Sequence, residues 1–131
     1  MNKSNLFLSF LILFAIFSMS SCDKEKNNER DRQKLEQMLA EIKTLAASSV
    51  CDGKGTYELK FIKYGTRSCS GVGFLPYSTS INVSNFEKLV KEYNDFEKSY
   101  LTKSGITIDC AALILPPKSV TCENGKPVLS P

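Results

Sequence analysis

The chain contains no histidine. That absence removes the commonest general base near neutral pH, and with it Ser–His and Cys–His nucleophilic schemes. It also has no Cys-x-x-Cys pair. The spacings are Cys51-x17-Cys69 and Cys110-x11-Cys122, so a zinc site of the usual Cys/His kind has nothing to start from. After Cys22 no Ser-x-x-Lys occurs, although Ser68, Ser70, Lys103 and Lys118 are present, and a serine–lysine dyad lacks its usual opening. Asp52, Glu58, Asp95 and Asp109 remain as carboxylates that a fold might pair, but their spacing suggests no such pairing. The expectation is a protein that is not an enzyme and carries neither metal nor cofactor. A concentrated basic face is missing too: 17 Lys and Arg stand against 14 Asp and Glu, and one of the bases, Lys3, precedes Cys22. Nucleic acid is therefore not an expected partner.

Long apolar runs are also scarce. The one clear run, Leu6 to Phe17, is shorter than the ~20 residues a membrane-crossing helix needs. It follows Met1-Asn2-Lys3-Ser4-Asn5 and precedes Ser18-Met19-Ser20-Ser21-Cys22, the charged, apolar, small-residue order of a secretory signal. Cleavage after Ser20, as in an ordinary signal, is one reading of its end. The other is a lipoprotein signal spanning 1–21, with Cys22 as the lipid-bearing first residue of the mature chain. Cysteine arithmetic favours the second. Five cysteines leave one spare in an oxidising compartment, whereas lipidation of Cys22 leaves Cys51, Cys69, Cys110 and Cys122 as an even set. Two or more acyl chains hold such an anchor in a membrane stably. Residues 22–33 then read as the lipidated N-terminus and a polar tether, because Asp23 to Arg32 alternates charges of both signs around Asn27-Asn28 and has no apolar residue. Acidic residues just behind a lipidated cysteine resemble envelope-sorting signals, which points to the outer membrane or cell surface rather than the inner membrane.

Residues 34–131 read as a single domain. Leu35, Met38, Leu39, Ile42 and Leu45 draw one stripe on a helix from Arg32 to Ala47, a packing face in preference to a coiled-coil seam. Tyr57, Leu59 and Phe61 alternate with Glu58 and Lys60 in a half-buried strand whose parity shifts at Ile62, which marks a bulge or the strand's end. Gly65 to Gly73 is a glycine- and serine-rich loop, and Phe74 to Val83 is extended, with Pro76 marking an edge. Ser84-Asn85-Phe86-Glu87 has the form of a capping box. It opens a helix striped by Phe86, Leu89, Val90, Tyr93, Phe96, Tyr100 and Leu101 and stopped by Gly105. Ile106 to Leu115 reads as a buried strand. Asn124-Gly125 lies between extended segments, the strongest short signal for a β-hairpin. The expected fold is α+β: two helices packed on a small antiparallel sheet, braced by two disulfides. Four cysteines allow three pairings, of which Cys51–Cys69 with Cys110–Cys122 is favoured because each closes a short local loop.

One set of motifs resembles a family of small exported bacterial lipoproteins of unknown function. It comprises Gly65-x-x-x-Cys69-x-Gly71 after a strand, Pro76-Tyr77-Ser78, a Phe/Tyr-rich helix with Tyr93-Asn94, and Asp109-Cys110. Pro116-Pro117-x-x-Val120-x-Cys122-x-Asn124-Gly125-Lys126 completes it. The resemblance covers about Cys51 to Leu129. It implies one domain with paired cysteines and brings no activity. Where the family pattern has Cys-Gly-Gly-Pro, this chain has Cys69-Ser70-Gly71-Val72. The resulting expectation is an envelope binding or interaction module, attached to the membrane through its lipid and meeting an envelope or extracellular protein or glycan. Its contact loops would be 65–76 and 116–126, carrying Arg67, Ser68 and Ser70 in one and Lys118 and Ser119 in the other. An inhibitor of a protease or cell-wall lytic enzyme is the alternative, with Arg67-Ser68 or Lys118-Ser119 offering a basic side chain to a trypsin-like pocket.

Overall fold

A computed structural model describes residues 20–66, 72–106 and 115–131, with side chains along the first helix described from residue 25 onward. The elements in chain order are α1 (Ser20–Ser48), β1 (Leu59–Tyr64), β2 (Gly73–Ser78), α2 (Val83–Ser104), β3 (Ser119–Glu123) and β4 (Lys126–Ser130). The architecture is α+β. The strands form two separate antiparallel hairpins, β1–β2 and β3–β4, in place of one sheet. No helix among the described residues is long and apolar enough to cross a membrane. The chain divides into two units, Met1–Gln33 and Lys34–Pro131. The signal segment lies outside the described residues except for its last two, Ser20 and Ser21, which with Cys22 fall within α1.

In the first unit, the charged stretch read as a tether is helical from Ser20, and residues 25–30 are exposed. Lys, Glu, Arg and Gln are good helix formers, and pairs three or four residues apart support one another. Glu29 accepts from Arg32 Nη2 at 2.6 Å, Arg32 Nε at 3.0 Å and Gln33 Nε2 at 3.2 Å. The Arg32 hydrogen bond holds the Glu29 carboxyl below its ordinary range.

The second unit is built around one core. Leu35, Ile42 and Ala46 of α1, Tyr77 of β2, and Phe86, Val90 and Tyr93 of α2 are buried together. Met38, Leu39, Leu45, Ile62, Tyr64, Leu75, Leu89, Phe96 and Tyr100 pack around them. The stripes expected on both helices therefore face inward. Aromatic contacts fix the middle of the core: Tyr77 against Phe86 at 4.9 Å and Tyr64 against Tyr93 at 6.3 Å between ring centres. α2 ends as the sequence indicates. Gly105 takes φ 62°, and its amide and that of Ile106 return to Thr102 O and Leu101 O, closing the helix with a left-handed cap.

Four expectations are corrected. The N-cap of α2 is Asn82 and not Ser84: Asn82 Oδ1 accepts from the Asn85 amide at 3.0 Å, so the helix starts two residues early. Glu87 is thereby freed from capping and accepts the Tyr77 hydroxyl at 2.8 Å. The buried face of β1 carries Ile62 and Tyr64, while Tyr57 and Phe61 are exposed. The register from Leu59↔Ser78 to Tyr64↔Gly73 runs without a bulge. The helices cover the Ile62–Tyr64 face, and Phe61 meets Phe74 edge-on at 5.8 Å on the other. Finally, Cys51 is bonded to Cys122, which excludes both Cys51–Cys69 and Cys110–Cys122. Short loops were a poor guide because Cys51 leaves α1 directly beside the β3–β4 turn, where its amide donates to Gly125 O at 3.0 Å. Asn124 (φ 50°) and Gly125 (φ 77°) form that two-residue turn, as the Asn-Gly signal requires. Of the strand expected over 106–115, only the ends are described, and both Ile106 and Leu115 are exposed. Cys69 and Cys110 lie outside the described residues.

Burial, and then the Glu87 carboxylate, push the Tyr77 phenol above its ordinary range. A raised pKa stabilises the fold fully below the unfolded value of about 10, and that contribution is lost as pH rises towards the folded value. Tyr77→Phe should lower unfolding free energy at pH 8 by about 1–2 kcal/mol and should flatten the loss of stability above about pH 10. Urea titrations of both proteins across that range measure it; parallel alkaline slopes would contradict this account.

Candidate binding cleft

Where β1 ends, the chain must turn away from the sheet. Gly65 does this with φ 86°, a conformation that favours glycine. The turn is held by α2. Asn94 Oδ1 accepts the Gly65 amide at 2.7 Å, and Glu97 Oε2 accepts the Thr66 amide at 2.5 Å and the Thr66 hydroxyl at 2.7 Å. Asn94 and Glu97 are three residues apart and so share one helix face. Glu97 is only 5% exposed. A buried carboxylate is tolerated when donors meet it, and Thr66 supplies two. The root of the 65–73 loop is thus clamped to the middle of the long helix.

Beside this clamp opens a cleft of about 700 Å³, lined by Lys63, Gly65 and Thr66 from β1 and its turn, Asn94, Lys98, Leu101 and Thr102 from α2, and Ile106 just beyond. The Asn94 amide nitrogen has no partner among the described residues, because only its oxygen is engaged. Thr102 Oγ1 donates to Lys98 O, and Thr66 Oγ1 donates to Glu97, which leaves the lone pairs of both hydroxyls to accept. Lys63 and Lys98 make no ion pair among the described residues. By contrast, Lys60 meets Glu58 at 3.1 Å, Lys88 meets Glu92 at 3.6 Å and Lys91 meets Asp95 at 2.5 Å.

A smaller cavity of about 370 Å³ lies among Lys43, Ala46 and Ala47 of α1, Leu75 and Pro76 of β2, and Lys126 and Pro127 of β4. Its lysines are engaged within the fold. Lys126 Nζ donates to Ala47 O at 2.8 Å and Ser49 O at 3.1 Å, satisfying carbonyls at the end of α1, and Lys43 sits 5.7 Å from the centre of the Tyr64 ring.

The residues singled out from sequence are not brought together at either cavity. Lys118 and Ser119 are exposed and line neither; the Lys118 amide donates to Ser130 O at 3.1 Å, and Ser119 pairs with Ser130. That ladder holds backbone which a protease would need to receive as a free extended strand. Arg67, Ser68 and Ser70 lie outside the described residues. The described carboxylates are spread out. Asp52 accepts the amide and hydroxyl of Thr56, which lower its pKa, while Asp95 pairs with Lys91 and Glu58 with Lys60; Asp109 is outside the described residues. Among the described residues no group of His, Cys, Asp or Glu is arranged to hold a metal ion. Glu97 was missed from sequence, although a signal existed: it interrupts the apolar stripe four residues after Tyr93, where a charge needs a specific partner. Comparison with known protein families, curated proteins and solved structures finds no match.

Glu97→Gln keeps the shape of the clamp and removes its charge. It should cost about 1–3 kcal/mol and raise hydrogen exchange at the Gly65 and Thr66 amides while leaving the β3–β4 hairpin unchanged. Unaltered protection at those two amides would show that the clamp does not hold the turn.

Proposed function

We propose that the protein is an exported lipoprotein, cut before Cys22, acylated there, and held at the outer membrane or cell surface as a binding module without catalytic activity. The observation that carries the reading is the Cys51–Cys122 disulfide, which closes a separation of 71 residues. Such bonds form and persist in oxidising compartments and are rare in the cytosol of most cells. The apolar run before Cys22, the even cysteine set behind it and the resemblance to small exported lipoproteins all support the same address. The clamped turn and its cleft support binding, because a rigid scaffold that positions a loop is a common arrangement for contact surfaces.

The second brace belongs to this proposal. With Cys51 joined to Cys122, Cys69–Cys110 is the pairing that remains. Thr66 and Ile106 line the same cleft. Cys69 lies three residues beyond the first and Cys110 four beyond the second, about 10 and 14 Å of extended chain. A bond between Cys69 and Cys110 would leave no cysteine of the even set unpaired.

Metabolic labelling with an alkyne palmitate, followed by membrane fractionation, tests the address. Wild-type protein should be labelled and recovered with the outer membrane. Cys22→Ser should be unlabelled and retain its leader. An unlabelled, soluble wild-type protein would sink the reading.

A further inference from the structure

We infer that the cleft between Lys63 and Thr102 binds an acidic saccharide; this rests on the binding-module reading and names its ligand class. The chemistry comes from what the cleft leaves unused. Lys88 and Lys91 of α2 are each met by an acid four residues on, at Glu92 and Asp95. Lys98 has Asn94 and Thr102 at the corresponding positions, and Asp95, three residues before it, is committed to Lys91. Glu97, the acid next in sequence, is buried and accepts twice from Thr66. Lys63 arrives from β1 to line the same space, also without a carboxylate partner among the described residues. Two cations therefore share one concave surface in which, among the described residues, acidic neighbours are absent or already engaged.

The remaining groups select among anions. The Asn94 amide nitrogen donates, the Thr66 and Thr102 hydroxyl oxygens accept, and Leu101 and Ile106 supply an apolar patch. A bare sulfate has no donors for the hydroxyl acceptors, and neither sulfate nor phosphate has an apolar face for the Leu101–Ile106 patch. A sugar ring bearing a carboxylate or sulfate meets all three: its anion faces the lysines, its hydroxyls both donate and accept, and its C–H face covers Leu101 and Ile106. The volume of about 700 Å³ accommodates two or three sugar units, within the range of small-ligand sites.

Calorimetric titration of the full chain, purified from membranes in detergent, tests this with three probes: a galacturonate trisaccharide, a chondroitin sulfate tetrasaccharide and a neutral maltotriose. Binding of either acidic probe over the neutral one is expected, and the acid preferred identifies the anion. Lys63→Gln with Lys98→Gln should weaken it about tenfold, as the loss of two exposed charge contacts implies. Lys88→Gln with Lys91→Gln removes equal charge elsewhere and should leave it within about twofold. Equal weakening by both pairs, equal binding of the neutral sugar, or no binding at all overturns the inference. Labelling at Cys22 is read separately, so an anchored protein that binds no acidic sugar refutes this inference alone.

Discussion

Three consecutive residues, Ser49, Val50 and Cys51, join parts of the second unit that are far apart in sequence. The Cys51 side chain is bonded to Cys122 and its amide to Gly125 O, which fixes the β3–β4 hairpin where the first helix ends. The Val50 amide donates to Ser80 Oγ, and its carbonyl accepts from Ser78 Oγ, which fixes the end of β2 to the same point. Ser49 is fully buried, and its carbonyl accepts from Lys126 of the hairpin. Constraining an interval of this length in the unfolded chain stabilises the fold by about 4 kcal/mol in the chain-entropy account. For a small domain that is a large share of the total.

The clamp and the cleft depend on a second attachment of the same kind. Core packing sets α2 against β1 through Tyr64 and Tyr93, and this brings Asn94 and Glu97 level with the turn that β1 must make. Polar groups then complete what apolar burial begins. Thr66 satisfies a carboxylate that could not otherwise be buried, and nearer the start of the helix the exposed Glu87 carboxylate accepts from the hydroxyl of the buried Tyr77. The cations left over, Lys63 and Lys98, line the cleft without an acidic partner among the described residues. The binding chemistry proposed for the cleft is in this sense a remainder of folding chemistry, beside the turn that Asn94 and Glu97 clamp.

What the sequence made legible was local. Helical stripes, the Gly105 stop and the Asn124-Gly125 turn each depend on residues within a few positions, and the structure has all three. What it hid depends on tertiary placement. Ser84 with Glu87 satisfied the capping pattern, yet Asn82 lay ahead and Tyr77 competed for Glu87. Alternation through Tyr57, Leu59 and Phe61 pointed to the face of Phe61, but Ile62 is apolar too, and the helices cover the face that carries Ile62 and Tyr64. The favoured disulfides followed loop length, whereas the observed one follows the route of the chain after Ser48. Lys118 and Ser119 were noticed for their charge and hydroxyl, but their backbone is committed to a ladder. Lys63 and Lys98 looked like ordinary surface and gain meaning only from sharing a cleft.

The central claim is that Cys51 staples the end of the first helix to the β3–β4 hairpin. Mass spectrometry of a non-reduced proteolytic digest of the protein tests it directly. The account predicts a linked peptide pair joining Cys51 to Cys122, with Cys69 joined to Cys110. Recovery of Cys51 linked to Cys69, or of Cys122 linked to Cys110, would contradict the staple and the arrangement built on it.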